Sequence, residues 1–134
     1  MSQIKLVQIE DIGCLQQFIK KEWGDKHILA DEDFLKYTYF SRIGNELSGQ
    51  LYGFFDKGNN LSALFGSTMG NEKASIINGM LWRSSSSHPF AGLAVLDEFV
   101  NKNRKKIINA VGAQPETIFL MENRYGYSVG KMKQ

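Results

Sequence analysis

The stretch that decides the reading of this chain is LWRSSSSHPFAGLAVLDEFV, Leu81 to Val100. It begins as the end of an apolar strand, passes through four serines, and resumes as a helix. Leu93, Leu96, Phe99 and Val100 recur at helical spacing, and Pro89 stands just ahead of the helix, where proline is tolerated best. A strand, a polar loop and a helix N-terminus in that order form the layout of many phosphate-binding turns. The loop is short of the glycines such turns usually carry, having only Gly92. Either it holds a ligand or it is a solvated serine loop feeding an ordinary helix.

Working outward, three strand-like runs and their turns precede this stretch. Leu47 to Asp56, Leu61 to Met69 and Ala74 to Arg83 are joined by DKGNN and GNEK, which predicts an antiparallel meander. Before the meander, Ile4 to Ile9 alternates as a strand does. Ile12, Leu15, Ile19 and Trp23 then predict a helix that Asp11 caps and Gly24 and Asp25 end. Asp31 to Phe40 predicts a second helix, capped by Asp31, with Phe34, Leu35 and Thr38 on one face. After the serine loop and its helix, KKIINAV reads as a short buried strand. Pro115 opens a helix from Glu116 to Arg124, and YSVGKMKQ reads as the start of a further strand. The expected order is β-α-α-β-β-β-α-β-α-β. It predicts an α/β (α+β) fold: a mixed, mostly antiparallel central sheet with helices on both faces.

With 134 residues, 43% of them hydrophobic, the chain suits one domain with a true core. We expect residues 1–134 to form a single domain, cut short before its last strands. Sixteen basic residues against fourteen acidic ones give no field suited to nucleic acid or an anionic membrane. Cys14 is the only cysteine, so an internal disulfide is excluded, and its helical position predicts a small core residue. No apolar run is long enough to span a bilayer, and the N-terminus lacks a signal-peptide layout. A cytoplasmic setting is the expectation. Two histidines and one cysteine show no zinc spacing, so no metal is expected. Gly66 to Gly70 echoes a nucleophile elbow only faintly, with Thr68 at its centre and a turn after it.

The element order resembles the GNAT fold, the Gcn5-related N-acetyltransferase superfamily, over nearly the whole chain. SIINGMLWR entering a loop and helix is similar to the family's acyl-CoA diphosphate site. GLAVLDEFV resembles the start of its central helix. LMENRYGYSVG resembles its late helix, which ends in aromatic–glycine–aromatic, here Tyr125 to Tyr127. WGDKHILADEDFLKYTY, Trp23 to Tyr39, resembles GNAT-like proteins of bacterial surface-polysaccharide biosynthesis. Two departures stand out. Pro89 occupies the place of the loop motif's Gln or Arg, and Glu122 the place often held by a tyrosine acid.

The resemblance implies a transferase that moves an acyl group from acetyl-CoA, or another acyl-CoA, to a small-molecule amine. An amino sugar or sugar nucleotide is the suggested acceptor. Trp82, Arg83, Ser84, Ser87, His88, Gly92 and Ala94 become the candidate cofactor-binding residues. Backbone N–H groups at a helix start and the helix dipole hold anions, Gly92 allows close approach, and serine hydroxyls donate hydrogen bonds. Acyl transfer needs a base for the amine and an acid for the thiolate, for which Glu122 and Tyr125 are the candidates. Their plainer readings are an exposed carboxylate and a packing aromatic. Trp23, His27 and Tyr37 are the candidate substrate-binding residues, since aromatics beside a histidine suit a sugar or nucleotide. The alternative function is a catalytically inactive GNAT-like binding or scaffolding domain of a longer protein. An unfinished C-terminal strand would also suit a homodimer, because an open edge invites pairing.

Overall fold

The computed structural model describes residues 3–43, 46–69, 76–104, 107–110, 115–128 and 130. Its main sheet holds β1 (Gln3–Leu6), β4 (Gly49–Phe55), β5 (Leu61–Met69), β6 (Ile76–Ser84) and β7 (Ile107–Ala110), in spatial order β1-β4-β5-β6-β7. All neighbours are antiparallel except β6 and β7, which are parallel. Helices α1 (Ile12–Trp23) and α2 (Glu32–Tyr39) cover one face. Helices α3 (Ala91–Lys102) and α4 (Pro115–Asn123) belong to the other. The mixed sheet, its meander and its helical layers are those expected from the sequence.

Five details depart from that reading. The first strand stops at Leu6, and Ile9–Asp11 is a 3-10 turn that tightens the entry to α1. Asp11 makes no cap bond to α1; its carboxylate instead accepts the Gln8 N–H at 3.0 Å. A two-stranded hairpin, β2 (Arg42–Ile43) with β3 (Glu46–Leu47), stands between α2 and the meander. Strand β7 is not buried throughout: Ile107 is 65% exposed. Of the expected last strand, Tyr127, Ser128 and Gly130 are described and are not strand; the remainder lies outside the described residues.

Each helix forms for a local reason. α1 buries Leu15, Phe18 and Ile19 on one stripe and ends at Gly24, whose φ of 108° no side-chain-bearing residue adopts cheaply. α2 is capped by Asp31, whose carboxylate accepts the Phe34 N–H at 2.8 Å. The turn between β4 and β5 is held by Asp56, which accepts the N–H groups of Gly58 and Asn60 at 2.9 and 3.0 Å.

Two cores result, one on each face of the sheet. Leu15, Ile19, Leu35, Tyr39, Leu51 and Leu64 form the α1/α2 core. Phe99 of α3 anchors the other, with its ring 4.2 Å from that of Phe65 and 6.0 Å from that of Tyr52. Burial pushes the Tyr39 phenol up to about 12, so it stays protonated inside its core.

Candidate active site

The site grows from β6. Over its full length this strand is paired on one edge, with β5, from Ala63↔Ser84 to Met69↔Ile77. On its other edge β7 pairs only with the first four residues, Ile76↔Ile107 through Gly79↔Ala110. Among the described residues, Met80 to Ser84 have no strand on that side. Among the described residues, the pairing of β6 with β7 ends at Gly79. Register with β5 shifts there, since Leu81 faces Gly66 and Gly79 faces Ser67, leaving Met80 as an extra residue. Such a bulge disrupts the ladder locally and re-aims side chains, and bulges concentrate beside active sites. Met80 is 55% exposed at the bulge, although it is apolar and lies within a strand.

At the last paired rungs Asn109 Nδ2 donates to Asn78 Oδ1 at 3.1 Å. Sequence reasoning missed this pair. Its signal was present: SIING and KKIINA both carry Ile-Ile-Asn, and the register aligns the two triplets residue for residue.

Beyond the bulge, alternation along β6 sorts the candidate residues onto opposite faces. Trp82 and Ser84 face α3. The Trp82 indole N–H donates to the Gly92 carbonyl at 2.8 Å. The Ser84 hydroxyl donates to the His88 carbonyl at 2.8 Å and accepts the Gly92 N–H at 3.2 Å. Gly92 is buried, and a Cβ there would stand 2.8 Å from Ser84 Cβ. Its missing side chain lets α3 press against β6. The glycine expected to admit a diphosphate serves helix–strand packing, and its N–H is already bonded. Ala94 lies in the first turn of α3, with its N–H bonded to the Phe90 carbonyl at 3.2 Å.

Arg83 points the other way. Its guanidinium donates to the Glu22 carbonyl at 2.9 Å and lies 3.4 Å from the Glu22 carboxylate and 5.2 Å from the centre of the Trp23 ring. It was expected beside the diphosphate, but it is tied to the C-terminal end of α1, because strand alternation aims residue 83 opposite to residues 82 and 84. The Trp23 ring in turn lies 6.4 Å from that of His27, whose Nδ1 accepts the Leu29 N–H at 3.2 Å. Trp23, His27 and Arg83 thus share one place. Tyr37 is 80% exposed on α2, and no described contact joins it to them.

The serine loop satisfies most of its own amides. The N–H groups of Ser85, His88 and Ala91 bond to the carbonyls of Ser62, Ser85 and His88. The Ser87 N–H meets the Ser85 hydroxyl at 3.4 Å. Among the described residues, the Leu93 N–H in the first turn of α3 has no acceptor, as expected of a free helix start. Residues Ser85, Ser87 and His88 open instead into a cleft of about 260 Å³ between α1, the β4–β5 turn and β5. Cys14 also lines this cleft; it is half-buried rather than fully in the core, and its thiol lies 3.7 Å from the Asn59 carbonyl.

Of the two proposed catalytic groups, Glu122 is exposed on α4. Tyr125 is buried, and its phenol donates to Asp97 of α3 at 2.5 Å. Burial, then the Asp97 carboxylate, pushes its pKa well above the ordinary phenol value. The same Asp97 takes a two-pronged bond from Arg124, both contacts at 2.9 Å, and this bond foremost holds its carboxyl below the usual range. Arg104, from the basic run after α3, donates to the Tyr125 carbonyl at 2.7 Å. These bonds lock the end of α4 onto α3.

The chain superposes over nearly its whole length on solved acetyltransferases. This chain has the GNAT fold. An acetyltransferase of the GNAT family from Streptococcus pneumoniae superposes with a TM-score of 0.68 at 12% identity, over 97% of this chain and 86% of that one. Ribosomal-protein-alanine N-acetyltransferase from Brucella melitensis gives 0.66 at 12% identity, over 100% and 97%. An acetyltransferase from Trypanosoma brucei gives 0.65 at 7% identity, over 100% and 97%. No protein-family profile matches the sequence, and no curated protein matches it. The GNAT likeness is thus carried by shape rather than by residue identity. Among the described residues no helix is long and apolar enough to cross a membrane.

Proposed function

We propose that the chain is an N-acyltransferase that takes its acyl group from acetyl-CoA or a related acyl-CoA. The carrying observation is the GNAT fold around β6, which pairs in parallel with β7 through Gly79, bulges at Met80, and runs directly into the start of α3. In this reading β6 parts from β7 beyond Gly79 and offers unpaired strand N–H and C=O groups. An amide-bearing pantetheine arm can pair with these as a strand would. The half-exposed Met80 supplies an apolar wall. The free Leu93 N–H and the α3 dipole favour an anion at the strand's end. The residues present fit the diphosphate only in part, because the amides of Ser85, Ser87, His88, Ala91 and Gly92 are already bonded within the protein.

In this reading the acceptor amine approaches from the α1 face, along Trp23, His27 and Arg83. An aromatic plane, an imidazole and a guanidinium suit a polar acceptor with ring hydroxyls, and an amino sugar has that chemistry. A glucosamine N-acetyltransferase region of a fungal multi-domain enzyme shares the fold, with a TM-score of 0.64 at 11% identity, over 86% of this chain and 14% of that one. Glu122 is exposed on α4, on the face opposite α1, and has no part in this reading. Tyr125 would have to leave Asp97 to reach a thiolate, so we assign it to locking α4 rather than to acid catalysis.

Thermal unfolding with acetyl-CoA tests the reading. Ligand at a hundred times Kd adds about 2.7 kcal/mol, a rise of several degrees in Tm for a domain of this size. Absence of any rise at millimolar acetyl-CoA would overturn it. Release of free thiol with glucosamine present, lost in Trp23→Ala but not in Tyr37→Ala, would support the acceptor assignment.

A further inference from the structure

The cleft beside the serine loop is separate from the β7 edge of β6. Strand β6 lies between β5 and β7, and the cleft abuts β5 and α1. Nothing in the acyl-transfer reading uses it. Its lining is rich in hydrogen-bond donors. Lys21 contributes an ammonium that no described carboxylate pairs. Ser85, Ser87 and His88 form a chain, with the two hydroxyls 2.9 Å apart and the second hydroxyl 3.1 Å from His88 Nδ1.

A second observation is independent of that chain. Ser62 is only 2% exposed and lines the same cleft, so what remains accessible of it faces the cleft. A hydroxyl there can exchange its bond to water for one to a ligand. The one carboxylate in the lining, Asp56, is drawn into its own turn by the N–H groups of Gly58 and Asn60.

We propose that this cleft is a second ligand site, built for a small oxyanion of phosphoryl or carboxylate chemistry. Lys21 supplies the charge, and the hydroxyls of Ser62, Ser85 and Ser87 supply the directed bonds. A compact anion seated there touches both α1 and the serine loop, so its occupancy would fix the loop from which α3 starts.

The test uses the full chain and two probes, inorganic phosphate and acetate, each titrated by thermal shift and calorimetry against sodium chloride of equal ionic strength. The expected result is a saturable response to phosphate, to acetate, or to both, with the stronger probe naming the preferred source. Lys21→Gln and Ser62→Ala should each weaken that response at least tenfold. Lys21 is exposed, so its variant should keep the wild-type Tm without ligand. No saturable response to either probe overturns the proposal, as does unchanged affinity in Lys21→Gln. Acetyl-CoA should bind equally well with the probe at saturation. Competition between them would make the cleft part of the acyl-CoA site and overturn its independence. Failure of acetyl-CoA to bind at all, with probe binding intact, would instead count against the acyl-transfer reading alone.

Discussion

The two faces of β6 beyond the Met80 bulge differ in kind. On the α3 face, Trp82 and Ser84 spend their polar atoms on Gly92 and the serine-loop backbone, and the helix presses close enough that a methyl group would not fit. On the α1 face, Arg83 bonds loosely to Glu22 and Trp23, and next to it lies an open cleft whose hydroxyls and ammonium are only partly used. One face is built to hold still and the other to meet solvent and ligands. Three consecutive residues thus have opposite duties because a strand alternates. A turn flanking a packed helix can be rigid on one side and available on the other.

That contrast can be broken most severely at the α3 core. Phe99→Ala removes a ring that is fully buried between Phe65 and Tyr52 and should cost about 3–5 kcal/mol in chemical denaturation. Gly92→Ala should cost about 1–3 kcal/mol, because Ser84 or α3 must shift to admit the methyl group. If instead Gly92→Ala kept wild-type stability and weakened acetyl-CoA binding alone, the glycine would serve the ligand and not the packing. Trp82→Phe keeps an aromatic side chain but loses the indole N–H bond to Gly92, and that bond is worth about 1 kcal/mol. Arg83→Ala on the opposite face should cost well under 1 kcal/mol, since its ion pair is partly exposed. The same variant should raise KM for the amine while leaving acetyl-CoA affinity unchanged; a loss of acetyl-CoA affinity would move Arg83 back to the diphosphate.

The smallest effect is a pH dependence. Asp97 has a folded-state pKa below its unfolded one, chiefly through Arg124. Its contribution is therefore present above the ordinary aspartate range, about pH 4, and is lost as pH falls through the lower folded value. Asp97→Asn should flatten the acid limb of the stability–pH curve and leave the neutral limb lower by a near-constant amount. An unchanged acid limb would mean that the Tyr125–Asp97–Arg124 contact does not persist in solution.

Much of the fold was legible because periodicity and turn chemistry are local. The meander announced itself through alternation and DKGNN, and α2 through the Asp31 cap, which makes the expected bond to Phe34. Asp11 read equally well as a cap, but the 3-10 turn at Ile9–Asp11 diverts its carboxylate to Gln8. The candidate site was less legible. Trp23 and His27 come together as expected, because one helix end and the next turn hold them. Arg83 was misplaced because only the register decides which face an odd-numbered strand residue takes. The Asn78–Asn109 pair and the Ser62 cleft depend on residues from distant elements, which no local pattern relates.

The sequence by itself determined the order of helices and strands, the absence of a disulfide, and the strand–loop–helix passage around the four serines. These follow from side-chain spacing, cysteine count and backbone preference, all of which act within a few residues. Only the tertiary structure decided that β6 pairs in parallel with β7 and bulges at Met80, that Gly92 is filled by Ser84, and that the serine loop opens toward α1. Each of those depends on which surfaces meet when separate elements pack, and packing is a property of the assembled chain.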